Sequence, residues 1–113
     1  MHDAEFIATL RRNAMGEPGS FIYALHEQER FDAALYAQYL ACLQALAQAA
    51  RAAPPDAAVQ RMVFDTYAYT MKALVWHYSP HDLSRVAGLP DDALPDMLEE
   101  LGLAARGVLA PQR

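Results

Sequence analysis

Only one cysteine, Cys42, occurs among the 113 residues, which excludes an intramolecular disulfide and any zinc site built from several thiolates. Nothing in the chain calls for an oxidising compartment, so the cytoplasm is the expected location. The N-terminal stretch MHDAEFIATLRR also lacks the basic n-region and apolar h-region of a signal peptide. Residues 33 to 50, AALYAQYLACLQALAQAA, carry no formal charge at all. That length approaches a membrane span, yet Gln38, Gln44 and Gln48 share one half of a helix and alanine adds little hydrophobicity, which predicts an amphipathic helix and no membrane partner. Strand-like alternation of apolar and polar residues is missing from end to end, so a sheet is not expected.

What is present is apolar and helical in pattern. Hydrophobic residues make up 54% of the chain, enough for one core and, at this length, one domain over residues 1 to 113. The spacing predicts an all-α, single-domain compact bundle of five to six helices. A first helix runs from about Asp3 to Asn13, and a turn at Gly16-Glu-Pro-Gly19 leads to a second that starts at Pro18 or Ser20 and ends near Arg30. Asp32 can accept the free amide hydrogens of a third helix, with Phe31 and Tyr36 spaced as a hydrophobic staple across that start. Leu35, Tyr39, Cys42, Leu43 and Leu46 then share its inner face, where Cys42 reads as a small core hydrophobe, and Pro54-Pro55 closes it. A fourth helix from about Asp56 to Tyr78 is apolar nearly all round apart from Arg61, Asp65 and Lys72. It is predicted as the central apolar helix, with Trp76 and its other aromatics in the core.

The octapeptide VWHYSPHD, residues 75 to 82, sets His77 and His81 four apart beside Asp82. Two histidines at that spacing chelate a metal only on a continuous helical turn. Pro80 lies between them and has no amide hydrogen for such a turn. The same residues read as a boundary: Ser79 as N-cap, Pro80 in the first helical position, Asp82 as the acid of a capping-box-like turn. His77 faces the side of Val59, Thr66 and Thr70, which favours a buried, hydrogen-bonded histidine. Neither a metal site nor a cofactor is expected.

From Asp82 the chain reads DLSRVAGLPDDALPDMLEELGLAARG, which resembles the helix-turn-helix of winged-helix regulators: a short helix with Leu83 and Val86, a turn at Gly88, then Leu94 and Met97 facing inward. That likeness implies a small transcriptional regulator. The outward positions of its reading helix would be Asp91, Asp92, Pro95 and Asp96, three carboxylates set against phosphates, so nucleic acid is a poor partner for it.

The acids themselves are the functional clue. Asp91, Asp92, Asp96, Glu99 and Glu100 fall within ten residues, and without them nine acidic and nine basic residues remain, so this segment holds the whole net charge of −5. These five are the candidate partner-binding residues, and the partner they suit is a basic protein. No nucleophile, phosphate loop or metal-ligand set accompanies them, and no catalytic residue is assigned. The layout FIYALHEQERFDAALYAQYLACL followed by FDTYAYTMKALVWHYSPHDLSRVAGLP resembles that of small all-helical immunity proteins from bacterial polymorphic-toxin and contact-dependent inhibition systems. The resemblance implies a non-enzymatic inhibitor that binds a cognate toxin domain stoichiometrically.

Overall fold

Side-chain caps set where three of the helices begin. In the computed structural model, which describes residues 3–81 and 85–111, Ser20 Oγ accepts the Tyr23 amide hydrogen and opens α2 (Phe21–Glu27) after α1 (Asp3–Ala14). Asp32 Oδ1 accepts from the Leu35 amide at the start of α3 (Ala33–Ala50), and Asp56 Oδ1 from the Val59 amide at the start of α4 (Ala57–Tyr78). The amide hydrogen bond, with help from Arg30, holds the Asp32 carboxyl below its usual range. The predicted staple is in place: Phe31 and Tyr36 are both buried with ring centroids 5.3 Å apart. The last helix, α5, spans Leu94–Leu109.

The four longer helices close a ring in which α1 packs on α3, α3 on α5, α5 on α4 and α4 back on α1, with the short α2 laid against α1, α3 and α4. This is an all-α bundle with a single core. The inner face of α3 ties the ring together. Its Tyr36 hydroxyl donates to the Met97 carbonyl of α5 at 2.8 Å, its Tyr39 hydroxyl donates to Thr66 Oγ1 of α4 at 2.6 Å, and its Cys42 thiol donates to the Phe6 carbonyl of α1 at 3.0 Å. Burial pushes the Cys42 thiol up to about 11 and raises the Tyr36 phenol to about 12 and the Tyr39 phenol still further. Cys42 is thus a core residue, as its spacing predicts. Gln38, Gln44 and Gln48 are all exposed.

Two expectations are corrected. α2 ends at Glu27 rather than near Arg30, because Glu29 takes a left-handed φ of +47° and turns Arg30 into a single parallel bridge with Ala87. α4 packs on α1, α2 and α5 and takes the Tyr39 bond from α3, but only one side of it is covered. Val59, Val63, Thr66, Thr70, Ala73 and Leu74 are buried, whereas Phe64, Val75, Trp76 and Tyr78 lie outside, Trp76 being 38% exposed. Apolar residues all round a helix did not mean neighbours all round, since a chain this short has too few helices to surround one of 22 residues.

Candidate protein-binding surface

Between α4 and α5 the chain is not helical where it is described. Ser79 caps the end of α4, and Pro80 and His81 form a turn rather than the predicted helix start; Asp82, Leu83 and Ser84 lie outside the described residues. Arg85 to Ala87 run extended: the Val86 amide donates to His77 Nδ1 at 2.8 Å, the Ala87 amide to the Glu29 carbonyl, and the Phe31 amide to the Ala87 carbonyl, both at 2.8 Å. Gly88 follows with φ +80°, where an added Cβ would meet the Phe31 carbonyl at 3.4 Å. The short first helix of a helix-turn-helix is therefore not formed at Arg85–Val86. His77 is hydrogen-bonded, as its face predicts, but only half-buried, because α4 is covered on one side alone, and His81 is exposed. Among the described residues no group of three His, Cys, Asp or Glu side chains is placed to hold a metal.

Pro95 starts α5 instead of breaking it. The Pro90 carbonyl accepts from the Ala93 and Leu94 amides, each at 2.9 Å, and Pro95 then occupies the first turn, where its missing amide hydrogen costs nothing. Leu94, Leu101, Ala105 and Val108 turn inward and are buried. That face forces Asp96, Glu99, Glu100 and Leu103 outward together, because positions three and four apart are neighbours on a helix. All five candidate acids are exposed. They divide into two groups: Asp91 and Asp92 sit in the turn before the helix, and the other three form a ridge around Leu103, itself 62% exposed. Asp91 Oδ1 accepts the Tyr78 hydroxyl hydrogen at 2.5 Å, and this bond raises the phenol above its ordinary range. None of the five forms an ion pair with a described cation, so no described side chain neutralises them directly.

Beside the ridge lies a groove of about 640 Å³ between α3 and α5, lined by Gln44, Gln48 and Arg51 on one wall and Glu100, Leu103 and Arg106 on the other. Its floor is where the helices touch: a Cβ on Gly107 would stand 2.7 Å from the Ala47 Cβ. The charge-free glutamine face of α3 and the acidic face of α5, far apart in sequence, thus become one continuous surface along Glu100. Sequence reasoning found the acids and the glutamines but missed Leu103, Arg51, Arg106 and the glycine contact that joins them. The available signal was Leu103 itself, one turn after Glu99 and Glu100 on their own face. The groove offers amide donors and acceptors, two guanidinium groups and an apolar centre, which is recognition chemistry for a polypeptide. No family model, curated protein or solved structure matches the chain.

Proposed function

We propose that this chain is a stoichiometric protein-binding protein, an immunity protein that neutralises a cognate bacterial toxin domain through the α5 ridge and the adjoining α3/α5 groove. The observation that carries the reading is the ridge: Asp96, Glu99 and Glu100 are exposed, without an ion-pair partner among the described residues, and arranged around an exposed leucine. Unpaired carboxylates steer a basic partner into place, and an apolar residue inside a polar rim gives the encounter something to bury. A toxin domain that acts on nucleic acid presents such a basic surface, and covering it would block its substrate. The resemblance in layout to small helical immunity proteins supports the same reading.

The test partner is a purified basic, nucleic-acid-cleaving toxin domain, taken from the neighbouring gene where that gene encodes one, with association followed at two salt concentrations. Changing Asp96, Glu99 and Glu100 together to their amides should slow association by roughly 10-fold or more at low salt while helicity is retained, because steering acts on the association rate. The wild-type rate should fall as salt rises, since exposed charges are screened over about 8 Å at physiological ionic strength. An amide variant that associates as fast as wild type, or a wild-type protein that binds duplex DNA instead, would overturn the reading.

A further inference from the structure

The outer side of α4 is the other unpartnered surface. Phe64, Ala68, Met71, Val75 and Tyr78 follow one another at steps of three and four, which places them on a single stripe. Phe64 is 58% and Val75 66% exposed, so the stripe is open to solvent. At its C-terminal end it runs into a shallow, almost wholly apolar groove of about 500 Å³ lined by Met71, Leu74, Val75, Tyr78, Leu94 and Leu98. The face therefore carries an aromatic knob at one end and an empty apolar groove at the other, about 16 Å apart along the helix at its usual rise per residue. Small Ala68 lies between them.

Charge is disposed the same way. Asp65 and Lys72 flank the stripe on one side, and neither has an ion-pair partner among the described residues; Lys72 Nζ rests 5.3 Å from the centre of the Trp76 ring. A twofold axis lying against the stripe, perpendicular to α4 and level with residue 69, places a second α4 antiparallel to the first. Phe64 of each copy then falls against Met71, Val75 and Tyr78 of the other, and Asp65 of each falls opposite Lys72 of the other. Because this axis runs between the two helices and across the stripe, it preserves the flank, so both ion pairs form on the same side of the stripe. Knob with groove and anion with cation are matched by one operation, which is the property an isologous interface requires. Glu100 and Leu103 line the α3/α5 groove, whereas Leu94 and Leu98 of the same helix line the groove at the end of the stripe, so the two surfaces lie on different sides of α5.

We propose that the α4 stripe is the interface of an antiparallel twofold dimer of this chain. The second copy is the occupant that the charge pattern selects, and this holds whether or not the α5 ridge binds a toxin. The test is sedimentation equilibrium of the full chain at up to about 1 mM, a concentration that populates even weak dimers. Wild type should approach twice the chain mass of 12.5 kDa. Phe64→Glu should raise the dissociation constant roughly 100-fold, as losing a buried anchor does. Asp65→Lys alone should raise it about 10-fold, and Asp65→Lys combined with Lys72→Asp should bring it back, because both pairs re-form with their signs exchanged. Ala68→Cys should cross-link two copies under mild oxidation, whereas Leu103→Cys should not; Cys42 is buried and stays out of the reaction. A monomer over the whole range, a dimer indifferent to Phe64→Glu, or a single charge reversal that the double variant fails to rescue each overturns the proposal. So does a monomer whose toxin capture depends on Phe64, which would assign the stripe to that partner.

Discussion

Trp76 and Leu101 show how little residue type says about energetic weight. Tryptophan is the larger side chain, but it lies over the outside of α4 with an edge contact to Tyr69 and the Lys72 ammonium above it. Leu101 is fully buried between helices. Trp76→Ala should lower stability by only about 1 kcal/mol, while Leu101→Ala should cost about 2–5 kcal/mol, because only the second leaves a cavity in close-packed surroundings. Urea unfolding of the two variants checks this, and Trp76 fluorescence should be readily quenched by iodide in the native monomer. A Trp76→Ala loss as large as that of Leu101→Ala would show that the indole is packed. The polar residues of the core are equally specific in their placement. Asn13 is buried, donates to the Thr9 carbonyl and accepts the Ile22 amide hydrogen at 3.1 Å, joining the end of α1 to the start of α2. Thr66 receives the Tyr39 hydroxyl hydrogen while donating to the Met62 carbonyl. No described buried side-chain polar atom lacks a partner, as the cost of an unsatisfied group requires.

At the scale of the helices, α3 and α5 share the most extensive packing, and two glycines of α5 separate contact from propensity. A Cβ at Gly102 would meet only the Tyr67 hydroxyl, at 3.5 Å, an ordinary contact. Gly102→Ala should therefore stabilise the protein by up to about 1 kcal/mol through helix propensity. Gly107→Ala gains the same propensity but drives a Cβ to 2.7 Å from that of Ala47, a group with no rotamer to retreat into. Overpacking of about 1–3 kcal/mol then outweighs the gain, and Ala47→Gly in the same chain should recover most of that loss. Thermal unfolding of the three variants measures it; equal behaviour of the two glycine replacements would mean that the helices are free to separate at this point. The same contact forms the floor of the α3/α5 groove, so Gly107→Ala should also change the shape of that groove.

For the molecule as a whole, the titrations set a pH window. Burial raises Cys42 to about 11 and Tyr36 to about 12, with Tyr39 raised too, so each group holds its proton more tightly folded than unfolded. Their contributions are fully present below the unfolded values near 9 and 10 and are lost as pH rises through the folded ones. Asp32 acts in the opposite direction: its lowered value adds stability above the unfolded carboxylate range, lost as pH falls through the folded value. Stability should therefore fall on the alkaline side above about pH 9, with Tyr39→Phe softening that fall. Denaturant midpoints measured from pH 7 to 11 check it; an unchanged midpoint at the alkaline end would place these phenols and the thiol in contact with water. No helix is long and apolar enough among the described residues to cross a membrane, which accords with the glutamines read on α3.

Local signals by themselves determined the helices and their caps. Ser20, Asp32 and Asp56 act on amides within three residues, and the Phe31–Tyr36 staple closes over a single turn, so nothing distant is needed to read them. The inner face of α3 and the outward acids of α5 were legible for the same reason, since periodicity records which side is wet. Only the tertiary structure decided which apolar faces find a neighbour. It left Phe64, Val75 and Trp76 outside, because burial depends on how many helices can surround one and not on that helix's own composition. It also took Arg85 to Ala87 out of a helical pattern, since backbone bonds to Glu29 and Phe31 and the His77 ring satisfy that segment better than a local turn. The joining of the α3 glutamines to the α5 ridge was hidden in sequence for a related reason: it depends on a Gly107–Ala47 contact between helices sixty residues apart.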